Sequence, residues 1–207
     1  MKVIAGKFKG KTLNFRERQG LRPTSQKVKE AMFSIIGDMV EDANVLDLFC
    51  GYGGLGIEAI SRGAKFVHFV DVDPQALKQV AHFLGVLGVE NQGSTVKRDF
   101  IKALKHLDEN SLEIIVMDPP YNANFEEKAI LTIEKYNLLK PDGIIMVEHS
   151  SDNTLPDKIG KYVKFKVKEY GDTALSVYRQ EGSLAGNSVV NHEGEAEAET
   201  VSESEEQ

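Results

Sequence analysis

The sequence predicts an α/β fold in which helices wrap a parallel sheet. Short apolar runs rich in β-branched residues alternate with segments whose apolar residues have helical spacing, and five such runs occur between residues 44 and 147. Parallel strands need helical crossovers, so the alternation indicates one parallel sheet. A glycine-rich turn follows the first run, as in folds that bind ligands at the carboxyl edge of the sheet. The chain has 207 residues, 41% of them apolar, which fits one globular domain plus a short appendage.

The elements follow in chain order. After a basic N-terminal segment, apolar residues at helical spacing predict a helix over 25–40, with Thr24 or Ser25 as its N-cap. Pro74 and Gly88 are placed to begin and end a later helix. The predicted strands cover residues 44–48, 66–72, 94–97, 112–117 and 143–147, and the helices between them cover residues 55–62, 74–87, 101–107 and 126–139.

The last third of the predicted domain has the pattern of an antiparallel hairpin. Three lysines alternate with apolar residues over 163–168, Gly171-Asp172 forms a turn, and a second strand follows over 174–178. This pattern predicts one wet face that carries all three lysines. We interpret them as protection of an edge strand against pairing with another molecule, and RNA binding is the alternative. The lysines are Lys164, Lys166 and Lys168.

Charge is distributed unevenly along the chain. The net charge of −7 lies entirely in residues 183–207, which hold seven Glu and no Lys or Arg, whereas the first 30 residues hold nine cations and two acids. A basic head indicates contact with a polyanion, and a solvated basic face is the alternative. We predict a basic N-terminal extension over 1–24, a folded domain over 25–182 and a disordered acidic tail over 183–207. Residues 2–5 and 12–15 of the extension are predicted to form a small β-hairpin.

The composition excludes several classes of protein. No run reaches the ~18 consecutive apolar residues of a membrane-spanning helix, and the N-terminus lacks the apolar core of a signal peptide. The single cysteine, Cys50, excludes an internal disulfide framework and fits a reducing compartment. The five histidines have no metal-ligand spacing, so we predict no metal site. His149, just past the fifth predicted strand, is interpreted as a loop residue, and a position facing the pocket is the alternative. We expect a cytoplasmic protein that does not associate with a membrane.

A glycine loop follows the first predicted strand. Gly51, Gly53 and Gly56 satisfy the pattern G-x-G-x-x-G, and Asp71 follows Gly51 by twenty positions, which by itself admits a dinucleotide. Asp47 ends the strand just before the glycines, where a dinucleotide would place its pyrophosphate. An anion there repels phosphate and attracts an amine or a sulfonium. S-adenosylmethionine combines a cationic amino-acid end with a ribose and an adenine, so it fits this loop better.

Further acids are predicted at strand ends on the same edge of the sheet. Asp71, at the end of the second strand, is placed to accept from both ribose hydroxyls, and Asp99, at the end of the third, to accept from the adenine amino group. Asp73 competes for the ribose role and is alternatively the cap of the next helix. The predicted cofactor-binding residues are Asp47, Gly51, Gly53, Gly56, Asp71, Val72, Asp99 and Phe100.

The fourth predicted strand is followed by Asp118-Pro119-Pro120-Tyr121. The two prolines stiffen an extended backbone, so the Asp118 carboxylate and the Pro119 carbonyl are held as two acceptors. Two acceptors that bind both N–H bonds of a nucleobase amine draw its lone pair out of conjugation, and Tyr121 offers a ring on which the base stacks. We predict these four residues as catalytic residues for methyl transfer to a base that has left its helix. A rigid strand exit without function is the alternative.

These motifs resemble those of class I S-adenosylmethionine-dependent methyltransferases, in the order used by amino-group methylases. The head of the chain is similar to the N-terminal signature of the RsmD family within that class. The resemblance covers about residues 2–180 and leaves out the acidic tail. The matching segments of the head are Ile4-Ala-Gly6-Lys-Phe-Lys-Gly10-Lys, Leu21-Arg22-Pro23-Thr24 and Val28-Lys-Glu30-Ala-Met-Phe33.

The resemblance implies a Rossmann-like fold with a seven-stranded, mostly parallel sheet whose last strand is antiparallel. It implies in-line transfer of a methyl group from S-adenosylmethionine to the exocyclic N2 amine of a flipped-out guanine in small-subunit 16S ribosomal RNA. The RNA would be free or within a small ribosomal subunit or assembly intermediate, and the enzyme a monomer. Arg22 and Thr24 would lie near the target nucleotide or the methionine carboxylate of the cofactor. The residues implied to bind RNA are Lys7, Lys9, Lys11, Arg22 and Thr24.

Four other functions stay open from the sequence. A DNA adenine-N6 methylase shares the Asp-Pro-Pro-Tyr motif but usually carries an added target-recognition domain, for which this chain leaves little room. A protein-glutamine methylase has a similar layout but prefers Asn in place of Asp118. The glycines alone admit an NAD-binding oxidoreductase, and the basic head admits a noncatalytic RNA-binding protein.

Overall fold

The computed structural model describes residues 1–14, 24–120 and 125–183. The predicted acidic tail over 183–207 therefore lies outside the described residues, apart from its first residue. The strands are β1 (Asn44–Leu48), β2 (Phe66–Asp71), β3 (Gly93–Lys97), β4 (Leu112–Met117), β5 (Leu139–Ser150), β6 (Lys158–Ile159), β7 (Tyr162–Tyr170) and β8 (Thr173–Gln180). The helices are α1 (Gln26–Ile36), α2 (Gly54–Ser61), α3 (Pro74–Leu87), α4 (Phe100–Leu104) and α5 (Phe125–Lys135), with short 3₁₀ turns at Gly37–Val40 and Glu90–Gln92.

The strands form one sheet in the order β3-β2-β1-β4-β5-β8-β7-β6. Strands β1 to β5 are parallel, and β8 is antiparallel to both of its neighbours, β5 and β7. The order reverses between β1 and β4, which opens a crevice at their carboxyl ends. The predicted Rossmann-like fold with an antiparallel last strand is confirmed. The two-residue strand β6 is a short addition to the seven strands that were expected.

Local signals fix the helix ends that the sequence indicated. Ser25 is the N-cap of α1 and Asp73 is the N-cap of α3, and each accepts a hydrogen bond from a first-turn backbone N–H, at 3.2 and 2.8 Å respectively. Pro74 occupies the first turn of α3, where a backbone N–H has no intrahelical partner anyway. Gly88 ends α3 with a φ of 68°, a left-handed conformation that glycine adopts without strain.

The boundary between α5 and β5 differs from the prediction. The helix ends at Lys135 rather than near residue 139, and β5 runs from Leu139 to Ser150. Leu139 is fully buried and pairs with Leu112 of β4, so the apolar residues that extended the helical pattern belong to the sheet. His149 lies within β5 and is 3% exposed, so its interpretation as a loop residue is wrong. Pairing with β8 lengthens β5 beyond its own apolar run.

The lysines of β7 do not share one face. Lys164 and Lys166 pair with consecutive residues of β8, so Phe165 is an extra residue in a β-bulge that shifts the side-chain alternation by one position. Lys164 therefore faces the side of the sheet covered by α4 and α5, and Lys166 and Lys168 face the side covered by α1. The predicted wet face with three lysines is wrong, because an alternating sequence pattern carries no sign of a bulge.

Two apolar cores flank the sheet. One packs α1, α2 and α3 against one face, and the other packs α4 and α5 against the opposite face. Alternate residues of the central strand supply the two cores, since Val45 lies in the first and Leu46 in the second. In the described ranges of the chain, no helix is long and apolar enough to cross a bilayer.

The N-terminal head packs into the first of these cores. Val3, Phe8 and Leu13 are buried there, and Lys2 and Thr12 form an isolated antiparallel bridge. The predicted hairpin is present within residues 1–14 as this bridge and the backbone hydrogen bonds beside it, and two glycines with positive φ turn the chain between its arms. The head shares the core of the sheet and has no separate core of its own within the described residues.

Candidate active site

Four carboxylates lie in a row along the carboxyl edge of the sheet. Asp47 and Asp71 are near the ends of β1 and β2, Asp118 directly follows β4, and Asp99 comes two residues after β3. The strand order β3-β2-β1-β4 sets these four ends side by side. Because neighbouring strands are ~4.8 Å apart, the row spans roughly 15 Å across the point where the strand order reverses.

Asp47 is the most enclosed of the four acids. It is 2% exposed, and its Oδ2 accepts a hydrogen bond from Gly56 N at 2.8 Å. Burial raises the pKa of Asp47 to about 8, the Gly56 hydrogen bond opposes this shift, and the negative charges of Asp118 and Asp71 add to it. A positive charge brought to this edge would favour the ionised form of Asp47.

Asp71 joins the end of β2 to the glycine loop. Its Oδ2 accepts from Gly51 N at 2.9 Å, and its Oδ1 accepts from Asp73 N at 2.8 Å. Each carboxylate oxygen can accept a second hydrogen bond, so both can also receive hydroxyl donors from a ligand. Asp73 itself caps α3, which is the alternative role that the sequence left open for it.

The glycine loop directs its amides toward the protein. Gly51 N donates to Asp71, Gly56 N donates to Asp47, and Gly53 N donates to a backbone carbonyl at 2.7 Å. A Cβ on Gly56 would lie 2.2 Å from a ring carbon of Phe69, so this glycine permits the close packing of α2 on β2. A phosphate-binding loop points its amides at the ligand. This loop presents carboxylates instead, which disfavours a pyrophosphate and suits a cation.

Asp99, Phe100 and Val72 occupy the same end of the sheet. Asp99 is exposed and caps α4, since its Oδ1 accepts from Ile101 N at 3.1 Å. Val72 is 65% exposed and follows Asp71. Phe100 is 5% exposed, so nearly all of its surface contacts the protein.

Phe49 is a residue of this region to which the sequence assigned no role. It has a φ of 62°, an uncommon conformation for a bulky side chain. Its ring lies 5.3 Å from that of Phe100 and stacks in parallel with that of Phe125, with 5.9 Å between centroids. The three rings form an aromatic wall beside the acid row. Only the backbone geometry reveals the strain at Phe49, because nothing in the residue type predicts it.

Asp118 is held next to the start of α1. Thr24 Oγ1 donates to Asp118 Oδ2 at 3.5 Å, a contact between residues 94 positions apart. Pro119 is buried and Pro120 is exposed. The structure thus brings Thr24, predicted to lie near cofactor or RNA, to the predicted catalytic carboxylate. Tyr121 and Arg22 lie outside the described residues.

The predicted RNA-binding lysines of the head lie on the surface, and Lys7 is held away from the acid row. Lys7, Lys9 and Lys11 are exposed, and Lys7 N donates to Ser61 O at 2.6 Å. Ser61 ends α2, whereas Gly51 and Gly53 precede its first residue, so the eight-residue helix separates Ser61 from these two glycines by about 12 Å. The structure does not bring these lysines into the crevice.

A buried carboxylate attaches the head to α2. Glu58 is fully buried, and its oxygens accept from Ile4 N, Ala5 N and Arg62 Nε, each at 2.9 Å. Lys29 Nζ lies 3.2 Å from Glu58 Oε2, and burial lowers the pKa of this ammonium while Glu58 opposes the shift. The sequence pattern does not predict this cluster, because its members come from three separate segments.

The fold and the acid row together define the Rossmann-like class I methyltransferase architecture. The family model described as Conserved hypothetical protein 95 matches residues 1–179, and the chain belongs to this family. The predicted membership of the RsmD family is confirmed by this match and by the similar proteins named below.

Relatives and solved structures agree with this assignment. The chain is 38% identical to "Putative rRNA methyltransferase YlbH" of Bacillus subtilis over 185 residues, which are 88% of this chain and all of that protein. It is 33% identical to "Ribosomal RNA small subunit methyltransferase D" of Haemophilus influenzae, over 75% of this chain and 81% of that protein. The structure of "Putative methyltransferase yhhF from Escherichia coli" superimposes with a TM-score of 0.78 at 28% identity, over 87% of this chain and 98% of that one.

Proposed function

We propose that this protein methylates the exocyclic N2 amine of a guanine in small-subunit 16S ribosomal RNA, with S-adenosylmethionine as the methyl donor. The observation that carries the proposal is the position of Asp118. It follows β4 directly beside Asp47 on β1, at the point where the strand order reverses and where this fold binds ligands. The names of the similar rRNA methyltransferases support RNA as the substrate.

The residues along the edge fit S-adenosylmethionine. Asp47, a buried carboxyl group with a raised pKa and two acidic neighbours, suits a ligand that carries positive charge. Asp71 would bind the ribose hydroxyls, Asp99 the adenine amino group, and Val72 and Phe100 the faces of the adenine. When bound, this cofactor supplies a methyl group activated by attachment to a sulfonium.

The protein prepares the target amine. The Asp118 carboxylate and the Pro119 carbonyl would accept the two N–H bonds of the amine, which localises its lone pair for attack on the methyl carbon. The nitrogen–carbon bond forms as the carbon–sulfur bond breaks, and the amine then loses one proton along its hydrogen bond to Asp118. Thr24 Oγ1 orients the carboxylate. We propose that Tyr121 stacks on the flipped base.

The proposal extends to the state of the enzyme and its substrate. We propose that the protein acts as a monomer in the cytoplasm on a small ribosomal subunit or an assembly intermediate. Residues 1–24 would form an RNA-contacting extension of the methyltransferase domain over 25–182. Lys7, Lys9, Lys11 and Arg22 would bind RNA phosphates beyond the crevice.

Methylation of isolated substrates tests the function. Purified protein is incubated with labelled S-adenosylmethionine and either naked 16S RNA or assembled small subunits, both from cells in which the gene has been deleted. We expect label on one guanosine, and mass spectrometry of nucleosides should identify the N2-methyl isomer. Asp118→Ala is the inactive control. Absence of label from both substrates contradicts the proposal.

The same assay separates the competing functions. Label on duplex DNA would favour a DNA adenine methylase. Fluorescence titration in which NADH binds more tightly than S-adenosylmethionine would favour an oxidoreductase. Unchanged modification by Asp118→Ala protein that still binds RNA would favour a noncatalytic RNA-binding role.

A further inference from the structure

We infer that Lys27, Lys166 and Lys168 form a second RNA-contacting surface beside the active site, which binds phosphates of the substrate RNA on either side of the target nucleotide. The inference rests on the proposed function for the identity of the RNA. We call these three residues the rim lysines. They do not include Lys7, Lys9 or Lys11, and they come from two elements, α1 and β7.

The β-bulge of β7 creates half of this surface. It turns Lys166 and Lys168 to the face of the sheet that α1 covers, whereas Lys164 stays on the opposite face. The bulged residue, Phe165, packs against the core on the α1 side, with the Arg179 guanidinium 4.3 Å above its ring. Because Phe165 is packed on both sides, the bulge is held in place. The bulge in turn determines the face to which Lys166 and Lys168 point.

Lys27 joins this face to the active site. Its Nζ lies 5.8 Å from the ring centroid of Tyr170, the last residue of β7, so the first turn of α1 meets the end of that strand. Tyr170 follows Lys168 by two positions and therefore shares its face. Thr24, three residues before Lys27, donates to Asp118. A continuous path thus leads from the predicted catalytic carboxylate to the rim lysines.

The ammonium groups of the rim lysines are available to bind an external anion. In the part of the chain that the structure describes, none of them makes an ion pair, whereas two lysines of the same region do: Lys158 with Glu181, and Lys164 with Asp157. Lys27 and Lys168 are exposed and Lys166 is half-buried. An unpaired cluster of ammonium groups on an otherwise acidic protein attracts polyanions.

None of the nearby acids forms an ion pair with a rim lysine within the described ranges. Glu30 lies one turn further along α1, Glu169 points to the opposite face of β7, and Asp172 lies in the turn after β7. The strands β4 and β7 are three positions apart in the sheet, so the backbone of Lys168 is about 14 Å from that of Asp118. That is the range of the phosphates a few nucleotides from a flipped base. The head lysines, at the far end of α2, would contact more distant RNA.

Protection of the edge strand is the competing explanation for Lys166 and Lys168. Either sign of charge protects an edge, because a charged side chain of either sign opposes pairing with another strand. Only a positive charge binds a phosphate. Replacing lysine by glutamate therefore keeps the protection and removes the RNA contact.

Charge reversal at the rim tests the inference. We expect Lys166→Glu/Lys168→Glu to raise the KM for RNA or small subunits about tenfold or more, with kcat and the Kd of S-adenosylmethionine within about twofold of wild type. The slope of log affinity against log salt should become shallower by about 1 to 2. Lys27→Glu, on the other element, should weaken RNA binding in the same direction. Thermal unfolding checks that each variant is folded.

Lys65→Glu/Lys105→Glu provides a matched control. Both lysines are exposed, near the amino edge of the sheet, and the reversal changes the net charge equally. We expect its KM and salt slope to stay within about twofold of wild type. An unchanged KM and salt slope in the rim variant, or an equal loss in the control, overturns the inference.

Two further outcomes separate the alternatives. A loss confined to assembled subunits, with naked RNA bound normally, would assign the surface to a protein contact and overturn the inference. If wild-type protein transfers no label to any small-subunit RNA, the proposed function fails. Filter binding of naked 16S RNA by wild-type and rim-variant proteins still tests the surface in that case.

Discussion

Two buried carboxylates that are hydrogen-bonded within or next to α2 have opposite surroundings. Glu58 accepts hydrogen bonds from two backbone amides of the head and from Arg62, and it forms an ion pair with Lys29. Asp47 accepts from the backbone amide of Gly56, and its charged neighbours are the carboxylates of Asp118 and Asp71. Glu58 is itself a residue of α2, and Gly56, two residues earlier in the same helix, donates to Asp47.

The difference distinguishes structural from functional burial of charge. A buried carboxylate is tolerated when basic groups and hydrogen-bond donors surround it, as they do Glu58. Asp47 lacks a basic neighbour among the described residues, and the raised pKa reflects that environment. Residues of the protein balance the charge of Glu58, whereas the negative charge of the acidic edge needs a cationic ligand to balance it.

Removal of the charge at Glu58 should have the largest effect. Glu58→Gln keeps the shape of the side chain but leaves the buried Lys29 ammonium without its counter-charge, so we expect a loss of about 3–5 kcal/mol in the free energy of unfolding, measured by urea denaturation. Adding Lys29→Met should recover part of this loss, because the unpaired cation is then gone. A cost below about 1 kcal/mol for Glu58→Gln would contradict the role of this carboxylate as an anchor.

Substitution of Asp118 should lower activity and leave stability unchanged, the reverse of the result expected for Glu58. We expect Asp118→Ala to lower kcat about 10²–10³-fold, which corresponds to about 3–4 kcal/mol of transition-state stabilisation, because one of the two acceptors for the target amine is lost. The free energy of unfolding and the Kd of S-adenosylmethionine should change little. Single-turnover methyl transfer and ligand titration measure the two effects. Asp142→Ala, at an exposed acid, is the control. A comparable loss of kcat in that variant would contradict the role of Asp118 as an acceptor for the target amine.

The raised pKa of Asp47 predicts a pH-dependent stability. Between its unfolded value near 4 and its folded value of about 8, the folded state holds the proton more tightly, so this group makes stability fall as pH rises. Asp47→Asn removes that contribution. We expect the free energy of unfolding of the variant, relative to that of wild type, to increase by about 1 kcal/mol per pH unit between pH 5 and pH 7. Denaturation at each pH measures this difference.

The histidines provide an internal check on this experiment. Burial lowers the pKa of both His68 and His149, so they make stability rise with pH, in the opposite sense to Asp47. Both histidines are present in wild type and in Asp47→Asn, so their contribution cancels in the difference. A difference that stays constant from pH 5 to pH 7 would show that Asp47 is not a titrating buried group.

The last prediction concerns the binding of the cofactor by Asp71. We expect Asp71→Ala to raise the Kd of S-adenosylmethionine about 10–100-fold, or about 1.5–3 kcal/mol, because a charged acceptor for the ribose is lost. Isothermal titration measures this, with kcat at saturating cofactor as the second readout. Asp73→Ala is the matched comparison, since it removes the cap of α3 at a cost of about 1 kcal/mol in stability. A larger effect on binding from Asp73→Ala would transfer the ribose role to that residue.

Much of the acidic edge was predictable because its signals are local. The ends of apolar runs mark where strands stop, so Asp71 and Asp118 could be assigned to strand ends from the pattern alone. Parallel strands place their carboxyl ends on one edge, which brings such residues together without knowledge of any contact. The caps at Ser25 and Asp73 were predictable for the same reason, since each satisfies an amide only two or three residues away.

The sequence alone determined the alternation of strands and helices, the acidic ends of the strands and the stiff Asp118-Pro119-Pro120 exit, because each depends on neighbours along the chain. The tertiary structure decided the partners of Glu58, which lie 53 and 54 positions away on the head, and the inclusion of His149 in β5. It also decided the face that Lys166 and Lys168 take. Contacts between distant segments and a one-residue bulge leave no periodic trace, so only the packed chain reveals them.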